Sequence, residues 1–169
     1  MRDILLAFDA GTFEFDLQLE GDTERDLRGD DGLLTAVIIS LFTDRRALPD
    51  DALPDERIGL PSDRRGWWGD ILPEPGDPLG SRLWLLWREK DMDVVVERAR
   101  QYADEALQWI VRDGLVGERR VTASRVQGGY LGIGVELLPL PGTTDRAREW
   151  NFVYDYKNSV PLRMLAPGV

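Results

Sequence analysis

The chain has 169 residues, 43% of them hydrophobic and 31% charged, enough for one domain with a proper core. Its formal charge of −10, with only two lysines (Lys90 and Lys157), excludes nonspecific nucleic-acid binding and docking on anionic membranes, since phosphate contacts need clustered cations. Cysteine and histidine are both absent, which removes disulfides, thiol nucleophiles, Cys/His zinc sites and any Ser-His-Asp triad; no cofactor is expected.

No stretch is long enough for a membrane span. Met1-Arg2-Asp3 leads only into the short apolar run Ile4 to Phe8, which argues against a secretory signal. That run, a turn at Asp9-Ala10-Gly11 and the alternating Phe13, Phe15, Leu17 and Leu19 predict a β-hairpin with an acidic outer face. Gly21 to Gly32 reads as a charged connector. Asp30 or Asp31 is then placed to cap a buried helix over Leu33 to Phe42, apolar on nearly every side.

Arg45 to Pro78 is a long irregular region broken by six prolines, with enough apolar side chains to pack down as an ordered loop. It contains Arg65-Gly66-Trp67-Trp68-Gly69-Asp70, where glycines let neighbouring indole rings point to different places, one into the core and one to an interface. Ser81 is positioned to cap a helix over Arg82 to Trp87. A longer helix, capped by Asp91 or Asp93, runs to about Asp113, with Val95, Ala99, Ala103, Ala106 and Ile110 on one face and Gly114 as its C-cap. Trp84, Trp87 and Trp109 sit at core spacing.

Three strands follow: Arg120 to Val126, Leu131 to Leu138 and Trp150 to Tyr156, joined at Gly128-Gly129 and at Pro139 to Arg146. The expected fold is a single α+β domain over residues 1–156, a largely antiparallel sheet with two or three helices packed on one face; residues 157–169 form a C-terminal tail that docks on a partner.

Catalytic signals are thin. Asp70, Glu74 and Asp77 cluster in the loop, where a glycosidase would need two carboxylates at a set separation, but solvated acidic residues explain the same cluster. Gly128 to Gly134 lacks the lysine of a phosphate loop and continues as a strand, so it reads as a hairpin whose small residues admit another backbone closely. No catalytic residue and no metal ligand set is assigned.

Asp63-Arg64-Arg65-Gly66-Trp67-Trp68-Gly69-Asp70, Leu79-Gly80-Ser81-Arg82-Leu83-Trp84, Arg88-Glu89-Lys90 and Tyr102-Ala103-x-x-Ala106-Leu107-x-Trp109 resemble the Mu-like phage baseplate family, the gp-forty-six group. The resemblance runs from about Asp9 to Tyr156 and implies kinship with the wedge proteins of contractile tails. It implies a non-enzymatic wedge subunit, several copies around the tail axis, joining the baseplate to the first sheath ring. Partners would be other baseplate and wedge proteins and the sheath or tube initiator. The chain would reside in the virion tail after assembly in the host cytoplasm.

In the wider family a Glu-Pro-Arg sequence between the long helix and the sheet contacts the neighbouring wedge protein; here Glu118-Arg119-Arg120 stands there, with arginine for proline. Gly66, Trp67, Trp68, Gly69, Asp70, Glu118, Arg119 and Arg120 are therefore the expected partner-binding residues. Strand addition at an exposed edge, Leu131 to Leu138 or Trp150 to Tyr156, is the expected attachment mode. A carboxylate-based muralytic glycosidase and a peptide- or small-molecule-binding domain are the alternative readings.

Overall fold

The computed structural model describes residues 32–54, 63–67, 70 and 78–165, together with short strands between residues 3 and 30. The strands are β1 (Asp3–Ile4), β2 (Leu6–Asp9), β3 (Glu14–Leu17), β4 (Leu19–Glu20), β5 (Asp26–Leu27) and β6 (Gly29–Asp30). β2 and β3 pair antiparallel, Leu6 opposite Leu17, as the alternation in this stretch predicts. The connector adds two-residue ladders, β1 with β6 and β4 with β5.

Helix α1 (Leu33–Phe42) begins and ends as its apolar run does. Its cap differs from expectation: the N-cap is Gly32 at φ 81°, with no side-chain cap, while Asp30 belongs to β6. A left-handed turn into the helix suits glycine.

The Arg82 to Trp87 stretch is a 3-10 helix (Leu83–Arg88), not an α-helix. At three residues per turn, Leu83 and Leu86 share one face and enter the main core, while Trp84 shares the next with Trp87 and packs on Ala47 and Leu53. The Ser81 hydroxyl accepts the Leu83 N–H at 3.3 Å and donates to the Leu41 carbonyl at 2.5 Å, so it ties this helix to α1.

The long helix expected to Asp113 is two: α2 (Met92–Ala106), capped by Asp91 accepting from the Asp93 N–H, and α3 (Gln108–Arg112). Around Leu107 the bonding tightens to i→i−3, from Leu107 N–H to Asp104 and from Ile110 N–H to Leu107, both at 3.3 Å. The tightening turns both Leu107 and Ile110 fully into the core. No glycine or proline marks the break in the sequence. After α3, Gly114 at φ 72° closes a Schellman motif, Leu115 N–H to Ile110 and Gly114 N–H to Val111, both 3.0 Å.

The main sheet has the order β10-β9-β8-β7, all antiparallel: β7 (Glu118–Val126), β8 (Tyr130–Leu138), β9 (Arg148–Asp155) and β10 (Val160–Leu165). β8 alternates strictly, burying Leu131, Ile133, Val135 and Leu137 against α1 and α2. The buried stripe of α2 is small, Val95, Ala99, Ala103 and Ala106, so the helix axis approaches β7 and β8 closely. Phe42 of α1 packs edge-on to Phe152 and stacked on Tyr154 of β9.

Two strand expectations need correction. The proposed open edges, Leu131 to Leu138 and Trp150 to Tyr156, are both interior strands; the edges of this sheet are β7 and β10. The stretch read as a tail supplies β10, where Pro161 sits beside a bulge on an edge strand, a setting that tolerates a residue with no N–H to donate. The glycines of β8 admit side chains, not a backbone. A Cβ on Gly134 would lie 2.5 Å from Thr122 Oγ1 and 2.9 Å from Asn151 Oδ1, so the neighbouring strands lean their polar groups over β8.

Candidate partner-binding site

After α1 the chain runs through residues 43–54 without regular structure, and the residues that stood out in the sequence close on that segment from two sides. From one side, Gly80 and Ser81 lie alongside it: Ser81 N–H donates to Thr43 and Arg45 N–H to Ser81, each at 2.9 Å. Gly80 sits at φ 95°, and a Cβ there would be 2.2 Å from the Thr43 carbonyl oxygen. The Trp84 indole N–H reaches the Arg45 carbonyl at 2.8 Å.

From the other side come Arg64, Arg65 and Gly66. Ala47 N–H donates to the Arg64 carbonyl at 2.9 Å, and the Arg64 guanidinium donates to the Leu48 carbonyl at 2.6 Å. Arg65 pairs with Asp44 at 2.6 Å while its guanidinium lies 4.5 Å over the Trp84 ring. Gly66 at φ 102° lets the loop pass Arg46, whose Cβ would stand 2.6 Å from a Cβ at 66.

Charges brace this clamp from behind. Arg82 bridges Asp51 at 2.8 Å and Glu105 at 2.5 Å, and Glu105 also meets Arg45 at 3.1 Å. Burial alone would lower the Arg82 pKa, but its hydrogen bonds with Glu105 and Asp51 outweigh that and hold it above the ordinary value. The Arg82 guanidinium also covers the Tyr102 ring at 4.6 Å. Burial, then the nearby Asp51 carboxylate, pushes the Tyr102 phenol up.

The expected partner-binding residues divide between two places. Trp67 is 44% exposed, and its carbonyl accepts the Asp70 N–H at 3.1 Å. Asp70 accepts the Leu79 N–H at 3.2 Å through Oδ1, so it ties the far end of the loop back to Leu79; its Oδ2 is buried without a hydrogen bond among the described residues. Trp68, Gly69, Glu74 and Asp77 lie outside the described residues.

Glu118, Arg119 and Arg120 open β7, and they do not act alike. Arg119 turns in to α2, pairing with Asp104 at 2.9 Å. Glu118 and Arg120 face out: Arg120 meets Glu118 at 2.9 Å and, across the ladder, Glu136 at 3.3 Å. β7 is paired with β8 in unbroken register over nine residues, from Glu118↔Leu138 to Val126↔Tyr130. Among the described residues no strand is hydrogen-bonded to its other side. Sequence reasoning missed this edge because it assigned the outer position to the most regularly alternating strands. Strict alternation marks a strand with one buried face and says nothing about how many neighbours it has.

Among the described residues, no three acidic side chains converge as a metal site, and no helix is long and apolar enough to cross a membrane. The family model described as "Phage protein GP46" matches residues 33–144, from the start of α1 through β8. The chain is 50% identical over 112 residues, 66% of its length and 73% of the relative's, to the "Baseplate protein gp46" of Escherichia phage Mu. Over 146 residues, 86% of its length and 93% of the relative's, it is 36% identical to the "Mu-like prophage FluMu protein gp46" of Haemophilus influenzae. With an α+β fold built from the motifs that first suggested the resemblance, the chain belongs to the phage GP46 family.

Proposed function

We propose that this protein is a structural component of a phage or prophage tail baseplate, a wedge subunit that joins the baseplate to the first ring of a contractile sheath. The baseplate assignment draws on the named relative in phage Mu. The joining role draws on one structural observation, the long regular β7 edge, whose outer side pairs with no strand among the described residues. An edge of nine residues offers a row of N–H and C=O groups to a partner's extended segment. Arg120, Glu118 and Arg125 along it are the charges that discourage pairing with the wrong chain.

In a strand, successive N–H groups point to opposite sides, so of Thr122→Pro and Ala123→Pro one breaks the ladder to β8 and the other blocks only the outer edge. The edge-blocking variant should melt close to the wild type yet fail to form baseplates that nucleate sheath, read by electron microscopy of tails. Normal sheath on both variants would remove the edge from the mechanism. The proposed partners are other baseplate and sheath-proximal subunits, in multiple copies, and the proposed location is the virion tail.

A further inference from the structure

β7 carries four charged side chains, and three of them have a partner among the described residues. Glu118 and Arg120 meet at 2.9 Å, Arg120 also reaches Glu136 at 3.3 Å, and Arg119 meets Asp104 of α2 at 2.9 Å. The fourth, Arg125, is exposed and makes no ion pair or hydrogen bond with any described residue.

Its register makes that position unusual. Pairing with β8 is unbroken, so Arg119, Val121, Ala123 and Arg125 share the core-facing side of the sheet. Val121 continues a row with Val135 and Trp150, Ala123 a row with Ile133 and Phe152, and Arg125 a row with Leu131 and Tyr154. Val121 and Ala123 pack partly against the core. A strand added at the β7 edge would extend each row by one residue. Beside Val121 and Ala123 that residue is favoured if apolar. Beside Arg125 an apolar residue would cover a cation with nothing to pair with, which is costly. Arg119 makes no such demand, because Asp104 already neutralises it.

We infer that Arg125 selects the strand that joins β7. The partner is an extended segment of another tail subunit, antiparallel like every pairing in this sheet. It places a carboxylate opposite Arg125 and apolar side chains opposite Ala123 and Val121, so its sequence runs acid, any residue, apolar, any residue, apolar. The inference rests on the edge-joining role proposed above and names the partner that the edge accepts.

The probe is the peptide acetyl-Thr-Glu-Thr-Val-Thr-Val-Thr-Thr-amide, with a version carrying lysine for glutamate as control. Both are titrated into the full chain and followed by the backbone amide resonances of β7. The acidic peptide should bind about fivefold or more tightly than the lysine version. Arg125→Glu, a change at an exposed side chain, should reverse that preference, and a variant that gains affinity for one peptide is folded. Equal binding of the two peptides, a preference that Arg125→Glu leaves unchanged, or no shift at about 1 mM of either overturns the inference. Tighter binding by the acidic peptide in reversed order, the match for a parallel strand, overturns it as well.

Co-expression with the other baseplate subunits separates this inference from the role beneath it. Arg125→Glu tails that nucleate sheath like the wild type, beside an edge-blocking proline variant that does not, reject selection by Arg125 and leave the edge role standing. Loss of sheath in both variants supports the two together. Normal sheath on the edge-blocking variant rejects the edge role and the inference built on it.

Discussion

The main core and the clamp around residues 43–54 hold their parts together in different ways. Under the sheet, Leu131, Ile133, Val135, Phe152 and Tyr154 meet Val37, Leu41, Val95, Ala99 and Ile110, and nearly all of the contact is apolar. The apolar cluster of the clamp is small: Ala47, Leu53 and Trp84, with Leu85 packed against them. The rest of its cohesion comes from backbone hydrogen bonds, four arginines and two glycines in left-handed conformations. A core of this kind tolerates volume-conserving exchange, because burial is nondirectional. A clamp of this kind does not, because each hydrogen bond and each close approach is specific to one atom.

The largest effect should come from Gly80→Ala. The added Cβ meets the Thr43 carbonyl oxygen at 2.2 Å and must also adopt φ 95°. Backbone is on the other side of the clash, so no side chain can swing away, and we expect a loss of about 3 kcal/mol or more, read by chemical denaturation. Gly114→Ala is the matched comparison: its φ is 72° but nothing lies within 4 Å, so only the conformational term of about 1 kcal/mol remains. Equal effects at the two glycines would mean that the clamp does not constrain the fold.

Arg82→Met tests the charged half of the same region. Arg82 and Asp51 side chains are each 13% exposed and Glu105 is 25% exposed, so removing the cation takes this ion-pair partner from Asp51 in a mostly dry setting and leaves Glu105 its contact with Arg45. The expected cost is about 2 kcal/mol, with part of it recovered in the Arg82→Met, Asp51→Leu double variant. If the double variant is as unstable as the sum of its two parts, the residues are not coupled and the network is incidental.

These two kinds of region also explain what could be read from the sequence. α1, the start of α2 and the three strands β7 to β9 were legible because burial on one face imposes a period of 3.6 or 2 on the residues. β10 was not, since Pro161 looks like a terminator unless the strand is known to lie at an edge. The 3-10 turn geometry at Leu83–Arg88 and the tightening at Leu107 depend on which neighbours compete for Trp84, Leu86 and Ile110, and that is tertiary information.

The clamp was visible only as an odd clustering of Gly, Arg and Trp. That clustering flagged Gly66 and Trp67 as special but did not reveal that Arg64, Arg65 and Gly66 grip residues 44–48. Of the expected trio on β7, sequence could not separate the inward Arg119 from the outward Glu118 and Arg120 without knowing that α2 supplies Asp104.

The smallest effect sharpens the comparison from outside both regions. Glu97, on the exposed face of α2, is held below its ordinary carboxylate value of 4.5 first by the Arg100 hydrogen bond and then by that of Gln101. A carboxylate with a depressed folded pKa stabilises fully above its unfolded value and loses that contribution as pH falls through the folded one. Glu97→Gln should therefore leave the melting temperature nearly unchanged at neutral pH. It should flatten slightly the fall in stability between about pH 5 and about pH 3, an effect that added salt shrinks further. Arg82 keeps its charge throughout that range, and the Arg82→Met deficit at neutral pH should exceed that of Glu97→Gln. A Glu97→Gln loss at neutral pH as large as that of Arg82→Met would erase the distinction between exposed pairs and the braced clamp, because geometry and burial would then have ceased to decide what an ion pair contributes.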